Sequence, residues 1–207
     1  YTGGGLLSDD PWTIFEANAD ELFAISNPTF EIPTETSEMQ NIGAVTDENL
    51  SSDEILDIAG DFRDTDTAGS TASFYVLFVD GYFEDGGERN EQVIGVSIGR
   101  TGVIAMFKPV IRHLGSSDSS RAKGEQATLV HEFGHAVALV NNPIPPQSAH
   151  HDEDNGAHCT NEDCVMYWLN ERPNELTSFI GDILIGGSDE VLFDSACIDD
   201  IRAVSSE

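Results

Sequence analysis

Apolar positions change their period several times along this chain, and each change marks an element. Ile55, Ile58, Ala59 and Phe62 recur at helical spacing behind Ser51-Ser52-Asp53-Glu54, a capping box, and predict a helix from about Ser52 to Phe62. Ser73 to Asp80 (SFYVLFVD) is instead a near-continuous β-branched and aromatic run closed by Gly81, the mark of a buried strand. Gln92–Ile98 and Val103–Phe107 flank Gly99-Arg100-Thr101-Gly102 and predict a hairpin. After a polar connector at Ser116–Ser120, helical spacing runs from about Gly124 to Val140. It stops at Asn141-Asn142-Pro143, because a residue before proline is pushed out of the helical region. No apolar period exists from Pro143 to Trp168, and so long a loop inside a domain is usually functional or disordered. Two more helices are predicted over Asn174–Leu184 and, behind an Asp194 cap, over Ser195–Val204. Residues 1 to 50 hold short apolar runs, Leu22–Ile25 and Thr29–Ile32, broken by Gly3–Gly5, Pro11, Pro28 and Pro33, and read as edge strands and wrapping loops. This order, without internal repeats, is that of a single α+β domain.

Composition supports that reading and adds a charge argument. The chain has 207 residues, of which Leu, Ile, Val and Phe supply 53, enough for one core. Asp and Glu number 38 against 9 Lys and Arg, a net charge of −29, and the first basic residue is Arg63. Such a surface excludes nucleic acid as a partner and repels other anions, which suits high salt or a secreted life. No stretch approaches the roughly 18 apolar residues of a membrane helix. The chain opens at Tyr1 without a basic start and apolar run. The expectation is an extracellular or periplasmic monomer whose export signal has been removed, with a membrane anchor on the precursor left open. Cys159 and Cys164 sit close together in an acidic stretch and could pair, or remain thiols in a reducing compartment or around a metal; Cys197 falls inside a predicted helix.

The candidate chemistry lies in the long helix. In His131-Glu132-Phe133-Gly134-His135 the two histidines fall about 40° apart on one helical face and can converge on one ion. Leu129, Phe133, Ala136 and Val140 project to the opposite side and can anchor the helix in the core. Two histidines hold zinc weakly, and a catalytic site needs three protein ligands and an open position. Asn141, His150, His151, Asp152 and His158 are the candidates for the third.

The stretch His131-Glu132-Phe133-Gly134-His135, followed by His158-Cys159-x4-Cys164-x-Met166-Tyr167, resembles the metzincin clan of zinc metallopeptidases. Within it the likeness is nearest to archaemetzincins and to small exported bacterial metalloproteases, and it covers about residues 124–170. The resemblance implies a twisted mixed β-sheet with a backing helix and an active-site helix, about residues 1–141, above a small irregular and helical subdomain, about 142–207. It also implies His158 as third ligand, with His150 the alternative, and Met166 in a turn beneath the metal. The chain departs from the pattern at Asn141, where metzincins place the third ligand, and at Ala138, where they place glycine. Archaemetzincins bind a second zinc through their two cysteines and a later Cys-x-x-Cys pair. That pair is missing here, so Cys159 and Cys164 are expected as a disulfide pinning the His158 loop.

The function so implied is hydrolysis of peptides or proteins by a zinc-activated water, with one catalytic zinc ion and Glu132 as general base and acid. Tyr167 is a candidate oxyanion stabiliser, and the strand bearing Val93–Ile98 or its hairpin partner could dock substrate. Asp152, Asp154 and Asn155 before Gly156 could hold calcium, although the spacing misses the EF-hand pattern. The alternative is a zinc-binding but catalytically silent binding protein, motivated by Ala138 and the displaced third ligand.

Overall fold

The apolar runs that predict strands pair as two small sheets in a computed structural model that describes residues 12–33, 36–44, 47–186 and 191–205. In one sheet β2 (Tyr75–Val79) runs parallel to β6 (Val103–Phe107), which pairs antiparallel with β5 (Gly95–Ser97), giving the order β2-β6-β5. The predicted hairpin is therefore present, with β6 buried in the middle and β5 on the edge. The other sheet orders β1 (Asn49–Leu50), β3 (Tyr82–Asp85) and β4 (Glu88–Asn90) as β1-β3-β4, with β1 parallel to β3. The architecture is mixed α+β, with two three-stranded sheets in place of the single sheet expected.

Helix α2 (Ser52–Phe62) starts at its capping box: the Ser51 hydroxyl accepts the Glu54 N–H, and the Ser51 N–H donates to Glu54 Oε2 at 2.8 Å. Ile55 and Ala59 are its buried residues. The segment before α2 differs from expectation. Thr13–Leu22 forms helix α1, packed on the long helix through Ile14, Ala19 and Leu22. Asn18 stands in the middle of that apolar stripe and hides its period. Residues 1–11, 34–35 and 45–46 of the expected edge strands and loops lie outside the described residues.

The long helix, α4 (Asp118–Ala136), follows a four-residue helix α3 (Lys108–Ile111). It begins six residues before the expected Gly124, because the Ser117 side chain caps it by accepting the Ser120 N–H at 3.1 Å. It ends at Ala136, where the chain turns left-handed: Ala138 has φ +72°. From Gly124 to Gly134 every residue is buried. The expected apolar face meets the core, with Phe133 stacked edge-on against Phe15 at 5.1 Å between centroids. The opposite face is also covered, by β5 on one side and by the 158–171 segment on the other. Gly95 permits the first contact, since a Cβ there would lie 2.8 Å from Thr128 Cγ2 and 3.1 Å from Glu132 Cγ.

Helices α5 (Pro173–Gly186) and α6 (Ser195–Ser205) complete the chain. Asp194 Oδ1 accepts the Cys197 N–H at 2.9 Å and caps α6 as the sequence predicts. No helix among the described residues is long and apolar enough to cross a membrane.

Candidate metal centre

His131 and His135 leave α4 on the face turned toward the 158–171 segment, and their Nε2 atoms approach to 3.1 Å. The Pro143–Ala157 loop turns back on itself at Asp152–Gly156. Asp152 accepts the Asp154 N–H at 3.2 Å and the Asn155 side-chain amide at 2.8 Å, Asp152 N–H donates to His158 O, and Gly156 supplies φ +80°. That turn returns His158 to the helix, where its ring lies 5.3 Å from that of His131 and 4.9 Å from that of His135. The oxygens of Asp152 are thus engaged in the turn.

The backbone orients two of these rings. His131 Nδ1 donates to Val165 O at 2.7 Å and His158 Nδ1 donates to Asn155 O at 2.6 Å. A carbonyl only accepts, so each Nδ1 carries the ring proton and, in the neutral ring, Nε2 presents its lone pair to the shared space. Burial, first, and the neighbouring His131 and His158 hold His135 well below its ordinary pKa, so its ring is neutral. Ring nitrogens that converge at such distances on one space suit a metal ion, and three imidazoles suit zinc.

Glu132, beside His131 on the helix, lies beneath β5 and is 4% exposed. Burial pushes its carboxyl up to about 7; Glu171 adds to the rise, while His131, a backbone hydrogen bond from Ser97 and His158 oppose it. A cleft of about 270 Å³ opens over Glu132, His135, His158 and Glu171 and runs along Gly95–Ser97, the edge strand of its sheet among the described residues.

Met166 is fully buried directly under the helix, and a Cβ on Gly134 would collide with its sulfur. Asn170, also buried, donates from Nδ2 to Cys164 O at 3.0 Å and Val165 O at 3.3 Å, which fixes this turn. Tyr167 directs its hydroxyl to Glu162 Oε1, 3.5 Å away, and is not among the residues that line the cleft. The other third-ligand candidates lie elsewhere. His150 Nε2 bonds Asp200 Oδ2 at 2.9 Å, His151 Nε2 bonds Gly156 O at 2.7 Å, and the Asn141 backbone pairs with Ile144 at the end of the helix.

Glu171 is the member of the cluster that sequence reasoning misses. Its Oε1 lies 3.1 Å from His158 Nε2, 3.7 Å from His131 Nε2 and 4.0 Å from His135 Nε2. Partial burial alone would raise its pKa, yet hydrogen bonds from His131 and His158 prevail and hold the carboxyl well below the carboxylate range. In a chain with 38 acidic residues nothing marks this one, save that it ends the short 3₁₀ turn Trp168–Glu171 just past Met166.

The cysteines form a second cluster. All three are buried and free, in place of the expected Cys159–Cys164 disulfide. Cys164 Sγ lies 3.6 Å from Cys197 Sγ, and Cys197 Sγ lies 3.9 Å from His150 Nδ1. Asn161 N–H and Asp194 N–H each reach a sulfur at 3.4 Å, those of Cys159 and Cys164 respectively. Hydrogen bonds from Cys164 and Cys197 hold the Cys159 thiol far below its usual range. His150, Cys159, Asp194 and Cys197 present donor atoms all within 4.8 Å of one another.

No family model matches the chain, and none of the curated proteins does. Among solved structures the chain is similar to the zinc-dependent peptidase from Methanocorpusculum labreanum, strain Z, with a TM-score of 0.49 and 16% identity over 92% of this chain and 94% of that one.

Proposed function

We propose that this chain is a zinc-dependent endopeptidase. One observation carries the reading: three imidazoles meet beside a buried carboxyl whose pKa is pushed up to about 7, in a cleft along an edge strand. His131, His135 and His158 are the zinc ligands in this proposal. Zinc held there would supply a Lewis acid that polarises a peptide carbonyl and brings the pKa of water to about 7. Glu132 does the proton work. A carboxyl whose pKa stands near neutrality can take a proton from water and return it to the leaving amine at the same pH. The edge of β5 offers backbone groups to an extended peptide, which would then lie across the cleft as an added antiparallel or parallel strand. Met166 packs below as an apolar floor and keeps the first turn of ligands from sinking into the core.

A second, structural zinc is proposed for His150, Cys159, Asp194 and Cys197, whose donor atoms all lie within 4.8 Å of one another. The bond from His150 to the buried Asp200 turns Nδ1 toward the thiols, the usual outer support of a ligating histidine.

Digestion of a proteome-derived peptide library by wild type and Glu132→Gln, with zinc measured in both, tests the proposal. Cleavage is expected to fall by about 10²–10⁴-fold in the variant while zinc stays bound. Two zinc ions per chain are expected, and one in Cys197→Ser. Equal cleavage by both proteins would refute the assignment of Glu132. Zinc without cleavage in either would favour the alternative, a silent zinc-binding protein, which has one observation behind it: a carboxylate, Glu171, reaches all three imidazoles.

A further inference from the structure

We infer that Glu171 is a fourth metal ligand, so that the centre as folded is closed and opens only when this side chain swings out. The inference rests on the zinc-peptidase reading and specifies how that site is regulated.

The argument is geometric. Four donors around zinc at about 2.0–2.1 Å stand about 3.3–3.4 Å from one another. The separations involving Glu171 Oε1 are 3.1, 3.7 and 4.0 Å, and His131 and His135 are separated by 3.1 Å. These values bracket the tetrahedral edge, so the carboxylate stands where a fourth ligand belongs. The ring orientation points the same way: His158 Nδ1 bonds Asn155 O, which leaves Nε2 as the ring atom that faces Glu171.

The support of Glu171 is asymmetric. Its backbone is held by the short turn that buried Asn170 ties to Cys164 and Val165, and by Arg172, whose guanidinium stacks over Trp168 at 4.8 Å. Its side chain is 48% exposed, in contrast to 2% for that of His131. The rotamer can therefore change without unfolding anything. Zinc centres with four protein ligands are structural, whereas catalytic ones keep an open position. Glu171 gives this centre both conditions: closed when the carboxylate is in, competent when a substrate carbonyl or water replaces it. Only the open fraction binds a competitor, so the apparent affinity of any probe for the fourth position is reduced by that fraction.

The test compares wild type with Glu171→Gln and Glu171→Asp. It uses zinc affinity by chelator competition, the absorption spectrum of the cobalt(II)-substituted protein, and acetohydroxamate binding followed by that spectrum. A ligand role predicts opposite signs: zinc held more weakly, roughly 10–100-fold, and acetohydroxamate bound more tightly, with an altered cobalt spectrum before the probe is added. Peptide cleavage should rise with probe affinity and vanish when Glu132→Gln is added. A residue that merely positions His158 would weaken zinc and probe together, which would overturn the inference, as would unchanged values for both. Failure of the wild type to bind zinc at all would instead remove the peptidase reading on which the inference stands.

Discussion

Ala138 holds φ +72° at the position where α4 gives way to the loop, a conformation that costs an L-residue about 1–2 kcal/mol. The surrounding hydrogen bonds show why the chain accepts it. Leu139 N–H reaches back to Gly134 O and Ala138 N–H to His135 O, the two bonds of a Schellman ending with its left-handed residue at 138. The geometry favours glycine at this position without reference to any metal. Ala138→Gly is therefore expected to stabilise the protein by about 1 kcal/mol, read as a rise in the urea midpoint with the slope unchanged. A loss of stability would mean that the Cβ packs better than its backbone strain suggests. Gly134 shows the opposite case, since its own backbone is ordinary helix and what it accommodates is the Met166 sulfur.

At the scale of elements, α3 and α4 are joined by an ion pair that water does not reach. Lys108 Nζ bonds Glu125 Oε2, and the two side chains are 1% and 4% exposed. Burial, first, raises Glu125's pKa, and Lys108 opposes the rise; burial likewise lowers that of Lys108, and Glu125 opposes it. Lys108→Met removes the partner and leaves a buried carboxyl, at an expected loss of about 3–5 kcal/mol, and Lys108→Met with Glu125→Met should recover most of it. The sign of the pH dependence follows. With its folded pKa raised further, Glu125 is tolerated while protonated, so the single variant loses more stability as pH rises through that pKa. Urea unfolding of the single and double variants across pH checks both statements; a single variant whose loss shrinks with rising pH would contradict them.

Elements were legible in the sequence where their signals are local. The α2 capping box closes within four residues, and the β5–β6 turn lies between two apolar runs, so both could be read without knowing what packs on them. Two histidines one helical turn apart are equally local. Helix α1 was not legible, because its stripe contains Asn18, whose partners are an Ile14 carbonyl and the backbone of Leu192 and Phe193. Glu171 and the free thiol cluster were hidden for the same reason. Each depends on which distant segments meet, and neither charge nor spacing records that.

For the whole molecule the decisive quantity is the charge of −29. Close packing of so many carboxylates opposes the compact state, and salt screens the repulsion: the Debye length falls from about 30 Å at 0.01 M to about 3 Å at 1 M. The thermal midpoint is expected to rise over that range of sodium chloride at pH 7. A flat or falling midpoint would show that local ion pairs, such as Arg202 with Glu21 and Arg112 with Asp80, outweigh the general repulsion. One path through the backbone adds a consequence in time. Leu192 N–H donates to Asn18 Oδ1, Leu192 O accepts Val165 N–H, and Val165 O accepts the proton of His131 Nδ1. The aim of one imidazole thus hangs on a relay that begins in the first helix and passes through a residue close to the far end of the chain. On the ribosome, α1 cannot close this relay until residue 192, 174 positions downstream of Asn18, has left the exit tunnel, so the aim of His131 is set long after its own helix has emerged.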